Sequence, residues 1–316
     1  MNTRQSSIHL FRFAGIDVFL HWSWFLVAVY EIGSRKSTYS SVTWNVIEYL
    51  ALFLIVMLHE FGHALACRSV GGAANRITLW PLGGVAYVNP PRRPGATLWS
   101  IAAGPLVNVA LIPILLLLVR VDGSLRWAQA MPDVHLLLRS ISYINAGLLI
   151  FNLLPIYPLD GGQILRSLLW FAIGRAHSLM VTTILGFAGA AGFVLLALKI
   201  RSVWFAALSA FVVMYCWRGF KLARTLYQLA KAPRNESFHC PSCKAAPPMG
   251  NFWICSQCKG RFDTFMTQAV CPHCAKQFPE TTCTECGQKH PMSAWRSGTP
   301  AISQVAEPLE VLSSRT

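Results

Sequence analysis

The chain has 316 residues, of which 54% are hydrophobic and only 13% charged, with a formal net charge of +14. Soluble globular domains carry roughly twice that share of charged residues. The composition therefore excludes an ordinary soluble protein and indicates an α-helical polytopic membrane protein.

In chain order, residues 1–14 are a short polar lead, and apolar segments of roughly spanning length follow at 16–32, 46–66, 98–119, 141–157, 179–198 and 203–217. These predict about six transmembrane helices within a membrane domain over 15–220. The first segment follows Arg4 and Arg12, but Glu31-Ile-Gly-Ser34 offers no small-x-small cleavage site, so a retained helix is expected. Between the second and third segments, Ile77-Thr-Leu-Trp80 and Val85-Ala-Tyr-Val88 flank Pro81-Leu-Gly-Gly84, the pattern of a short β-hairpin.

With six spans both termini share one side. An N-terminus-inside arrangement places thirteen Lys and Arg on the inner side and seven on the outer. Basic loops stay in the cytoplasm. The expected location is thus the cell (inner) membrane with both termini cytoplasmic, and the high charge follows from topology without a nucleic-acid partner.

The second segment contains His59-Glu-Phe-Gly-His63. Ionisable residues at membrane depth mark function. On a helix, His59 and His63 share a face and can bind one metal ion, while Glu60, one position round, can act as general base toward water at that metal. A catalytic zinc takes three protein ligands. Asp160, in Asn152-Leu-Leu-Pro-Ile-Tyr-Pro-Leu-Asp160-Gly-Gly162, is the candidate third, because the second and fourth spans run the same way and place it at matching depth. Pro155 and Pro158 should open the helix before it, and Gly161 and Gly162 should permit tight backbone turns after it. Glu31 and Glu48 fall near the opposite face.

These stretches, with Ala103-Gly-Pro-Leu-Val-Asn108 in the third span, resemble the site-2 protease family of intramembrane zinc metalloproteases over about 15–175. The resemblance implies a zinc metalloendopeptidase that cuts in or near transmembrane segments of membrane-protein substrates. Zinc would sit on His59, His63 and Asp160, Glu60 would be catalytic, and Asn152 would contact substrate near the scissile bond. The hairpin would then either pair with an unwound substrate strand or serve as a plain connector. His21 is either a further ligand or gate, or part of an aromatic interfacial helix end. His135 and His177 carry no signal, and Cys67 and Cys216 read as buried thiols.

After a basic juxtamembrane helix over 221–236, four Cys-x-x-Cys pairs occupy 237–290: Cys240/Cys243, Cys255/Cys258, Cys271/Cys274 and Cys283/Cys286. Paired spacing in a reducing compartment reads as zinc rather than disulfide. Sequential pairing, first with second and third with fourth, gives two zinc ribbons with one structural zinc each. A cross-braced arrangement fits the same spacing. Residues 236–290 hold five Lys/Arg and four Asp/Glu, and each zinc with four thiolates adds roughly −2. That surface suits a protein contact better than phosphate. Residues 291–316, rich in Ser, Thr and Pro, are expected to be disordered. A non-catalytic zinc-stabilised scaffold recruiting partners through its ribbons is the rival reading, and Glu60 speaks against it.

Overall fold

The computed structural model describes residues 7–35, 37–80 and 83–296. It divides into two compact units, Met1–Gln228 and Leu229–Thr316.

The first unit opens with two strands, β1 (Ser7–Phe13) and β2 (Ile16–His21), followed by a short helix α1 (Ser23–Ser34). This corrects the reading of 16–32 as one spanning helix, and the polar lead over 1–14 contributes β1. Hydropathy does not separate an apolar strand from an apolar helix. Here Ala14 and Gly15 both adopt positive φ, the geometry that closes a two-residue hairpin, and the hairpin uses the first half of the apolar run. The twelve residues of α1 reach only about 18 Å, against a hydrocarbon core of about 30 Å.

The long helix α2 (Val42–Ser69) leads into β3 (Ala73–Trp80) and β4 (Gly83–Asn89), the expected hairpin, extended at both ends. Its turn residues Pro81 and Leu82 lie outside the described residues. The four strands form one sheet in the order β1-β2-β3-β4, with β2 and β3 parallel and the other pairs antiparallel. A parallel pair needs a long crossover, and α1 with α2 provides it. Ile16 and Val18 of β2 and Ile77 and Leu79 of β3 are fully buried in one cluster with Val56, Phe61, Ala64 and Cys67 of α2. Arg68 ties the sheet to the end of that helix, donating to the carbonyls of Ala14, Gly15 and Ala74.

The remaining helices are α3 (Pro94–Ser124), the single turn α4 (Trp127–Ala130), α5 (Pro132–Leu153), α6 (Asp160–Ile200) and α7 (Val203–Lys231). Among the described residues five helices are long and apolar enough to cross a membrane: α2, α3, α5, α6 and α7. The chain is an integral membrane protein. Between α5 and α6, residues 154–159 leave the helix, as Pro155 and Pro158 require. The Tyr157–Pro158 peptide is cis. Gly174 (φ 76°, ψ 171°) breaks α6 into two stretches.

Glycines on α6 and α7 hold the non-helical segment in place. A Cβ on Gly189 would meet Ile156, one on Gly219 would meet Tyr157 and Thr183, and one on Gly186 would meet the Tyr157 carbonyl at 2.8 Å. Cys216 Sγ donates to that same carbonyl at 3.1 Å. The absent side chains let two helices close around a piece of irregular backbone, whose free carbonyl is satisfied inside the protein as an apolar solvent demands. Replacing Gly189 by leucine should force Ile156 out and cost about 1–3 kcal/mol, read as a lower thermal unfolding midpoint in detergent.

The second unit begins where α7 ends, so most of the basic stretch after the last predicted span is helix continuous with α7. It contains two small hairpins, β5 (Trp253–Ile254) with β6 (Arg261–Phe262) and β7 (Glu280–Thr282) with β8 (Lys289–Pro291), and a 3-10 turn at Met292–Trp295. The cysteine unit therefore runs past 290. Trp295 is one of its most buried side chains, His239 N–H donates to the Trp295 carbonyl at 2.7 Å, and Phe238 bridges to Arg296. The expected disordered tail loses 291–296 to this fold, while 297–316 lie outside the described residues.

Candidate metal centres

His59 and His63, one helical turn apart on α2, direct their Nε2 atoms to a common point, 3.0 Å from each other. Asp160, the first residue of α6, brings Oδ2 to 3.0 Å from His59 Nε2 and 3.3 Å from His63 Nε2. A tetrahedral ion with bonds of about 2.0–2.1 Å holds its ligand atoms about 3.3–3.4 Å apart. Two imidazoles and one carboxylate at this spacing fit zinc.

Each imidazole is held from behind. His63 Nδ1–H donates to the Ser100 carbonyl at 2.9 Å, and His59 Nδ1 lies 2.6 Å from Asn108 Oδ1. Both partners belong to α3, as does Gly104. A Cβ on Gly104 would collide with both imidazoles, and one on Gly62 would strike the Ala103 carbonyl at 2.7 Å. Two glycines thus let α2 and α3 approach closely enough for α3 to support the histidines. Of these α3 residues, the sequence showed Gly104 and Asn108 only as motif letters, and their tasks depend on a crossing that no local pattern reveals.

Gly161 and Gly162 serve a different purpose from the one expected. Neither has positive φ. A Cβ on Gly161 would overlap the Leu153 carbonyl, and one on Gly162 the Tyr157 nitrogen and Ile156. They let the start of α6 tuck against the chain that precedes it, which sets Asp160 at the depth of the histidines.

Glu60 is 5% exposed, and its carboxylate is close enough to His63 to act on it electrostatically. Asn152 lies half-buried in the last turn of α5, eight residues before Asp160. Glu48 is paired elsewhere, at 2.8 Å from Arg35 Nη1. His21 ends β2, stacked on Trp80 at 3.9 Å between ring centroids and hydrogen-bonded to Ser23. It does not belong to the metal cluster. His135, which carried no sequence signal, sits 2.6 Å from the buried Asp122 and joins α5 to the end of α3.

Residues 47–123 and 127–197 match the model of Peptidase family M50, a match that includes His59, His63 and Asp160. The membrane unit is similar to this family over those residues. A zinc metalloprotease of Methanocaldococcus jannaschii is 35% identical over 57% of this chain and 50% of its own length. Stage IV sporulation protein FB of Bacillus subtilis is 32% identical over 44% of this chain and 46% of its own. This chain thus spans about half the length of these relatives. A solved site-2 protease from Methanocaldococcus jannaschii superposes with a TM-score of 0.49 at 28% identity, covering 68% of this chain and 95% of that one.

The cysteine unit lies beyond the match to the site-2 protease model. Its four knuckles share one geometry. In each, the first cysteine accepts at its carbonyl from the residue after the second cysteine, and donates its own N–H one position further on. The residue after the second cysteine has positive φ in all four: Lys244, Lys259, Ala275 and Gly287. Only one is glycine, so the repeat is invisible in composition.

The knuckles are paired neither in sequence nor alternately. Cys240 and Cys243 meet Cys283 and Cys286, while Cys255 and Cys258 meet Cys271 and Cys274, one cluster enclosed in sequence by the other. The aromatic packing accounts for this. Trp253, beside the inner knuckles, also packs in the outer cluster's core with Phe238, Phe265 and Trp295, which draws the first and last knuckles together over the middle of the chain. Sulfur separations across the clusters are 3.7, 3.7, 3.6 and 3.6 Å. Zinc–sulfur bonds of about 2.3 Å in a tetrahedron require about 3.8 Å, so both clusters fit zinc. Around Cys255, the backbone N–H groups of Cys258 and Gln257 draw the thiol down to about 6, favouring the thiolate that a metal needs.

Two outcomes test these assignments. Gly104→Val should remove one zinc per chain with unchanged helix content by circular dichroism. Ending the chain after His290, which deletes Trp295 but spares all eight cysteines, should also cost one zinc, that of the outer cluster.

Proposed function

We propose that the protein is a zinc-dependent intramembrane endopeptidase that hydrolyses peptide bonds in or near transmembrane segments of other membrane proteins. The observation that carries this reading is the buried Glu60 next to a three-ligand cluster inside a helix long enough to cross a membrane. A purely structural metal site has no use for a carboxylate there.

His59, His63 and Asp160 would hold the ion, leaving a position open. When bound, zinc supplies Lewis acidity, lowering the pKa of water and polarising a carbonyl. Glu60 takes the proton from the attacking water and returns it to the leaving amine. Asn152 is placed on the segment leading to Asp160 and would donate its amide N–H to substrate backbone near the scissile bond. A substrate helix must open before its peptide bond can be attacked, and β4, an edge of the sheet, offers unpaired backbone groups to an extended segment.

The excess of Lys and Arg over six crossings supports a cytoplasmic location for both termini. β2 pairs with β3, which follows α2, so the chain between β2 and the start of α2 must run back along the length of α2, although α1 alone is too short to span. Two structural zincs in the cysteine unit complete a total of three. The unit's net negative charge with both zincs bound favours a protein contact, with substrate or with the enzyme itself, over nucleic acid.

Co-expression with a single-span membrane protein substrate, comparing the wild type with Glu60→Gln, tests the reading. Cleavage should fall by at least about a hundredfold, the usual scale for loss of a general base, while zinc content is kept. Equal cleavage by the two would leave the scaffold reading standing.

A further inference from the structure

Asn145 lies on α5, is 1% exposed and is absent from the metal cluster. We infer that it is a positioning residue that fixes the tautomer of His59 through Asn108. The inference rests on the zinc reading of the His59, His63 and Asp160 cluster.

Asn145 Nδ2 is 3.0 Å from the backbone carbonyl of Asn108. A carbonyl only accepts, so the Asn145 atom facing it must be the amide nitrogen. Asn145 Oδ1 is then turned the other way, toward the Asn108 side chain at 2.8 Å, and being an acceptor it requires the Asn108 amide nitrogen. That leaves Asn108 Oδ1 facing His59 Nδ1 at 2.6 Å. His59 Nδ1 must therefore carry the proton, and its Nε2 presents a lone pair to the metal position.

His63 needs no such relay. Its Nδ1 faces the Ser100 carbonyl directly, and a backbone carbonyl cannot be flipped. Asn108 alone has two orientations of nearly equal shape, one of which would aim N–H groups at His59 and favour the wrong tautomer. Asn108 is fully buried. The reciprocal pair of bonds with Asn145 removes the ambiguity.

Groups that orient metal-binding histidines typically change metal affinity 10- to 100-fold when removed. The full-length protein in detergent, titrated with a zinc chelator, provides the measurement. His59→Ala reports which fraction of the zinc belongs to this site. Asn145→Ala should weaken that fraction about tenfold, because Asn108 then samples both orientations. Adding Asn108→Asp to Asn145→Ala should restore the affinity, since a carboxylate accepts from His59 Nδ1 whichever way it turns. In the presence of Asn145 the same Asn108→Asp change should give no gain, as its second oxygen meets Asn145 Oδ1.

Wild-type affinity in Asn145→Ala overturns the inference. So does a double variant no tighter than Asn145→Ala alone, which would mean that Asn145 only fastens α5 to α3. Equal zinc in wild type and His59→Ala would instead overturn the zinc reading itself.

Discussion

Polar ligands inside an apolar helix bundle can be kept only if every one of their hydrogen-bonding atoms has a partner, because the surrounding lipid supplies none. His59, His63 and Asp160 meet that demand in two directions at once. Their inner atoms converge on one point, and the outer nitrogens of both histidines are satisfied by α3. Much of the membrane unit can be understood as the consequence. α3 must come close to α2, so Gly62 and Gly104 lack side chains where the helices touch. α5 must hold Asn108 in one orientation, so the buried Asn145 faces it.

The carboxylate imposes a second demand. Asp160 has to arrive at the depth of the histidines from a different part of the chain, and the backbone that delivers it is not helical. Non-helical backbone at such a depth survives only when wrapped in protein. The second stretch of α6 and the adjoining α7 provide the wrapping, with glycines opposite Ile156 and Tyr157 and Cys216 capping a carbonyl. Neither of these two stretches holds a residue of the His59, His63 and Asp160 cluster, yet the position of Asp160 depends on them.

The cysteine unit solves a related problem with few residues. It is too small for a large apolar core, and metal clusters are the usual substitute in such units. Its aromatic side chains are shared between the two clusters through Trp253, so the clusters form one folded body rather than two beads. The N-terminal and C-terminal ends of the unit lie side by side at His239 and Trp295.

Much of this was legible in the amino-acid order. The membrane class follows from composition, the shared face of His59 and His63 from helical spacing, the meeting of Asp160 with them from depth and proline breaks, and the four cysteine knuckles from pair spacing, because each of these signals is local or additive. What required tertiary structure was relational. An apolar run at 16–32 became strand and short helix because its first half pairs with residues 73–80, which sequence hydropathy does not register. Asn108 and Asn145 gained their roles only where α3 crosses α2 and α5. The knuckles, identical in spacing, were sorted into inner and outer clusters by the packing of Trp253, Phe265 and Trp295. Ligand identity is a property of side-chain chemistry and near neighbours, whereas partnership between distant elements is decided by which surfaces close on each other when the whole chain packs.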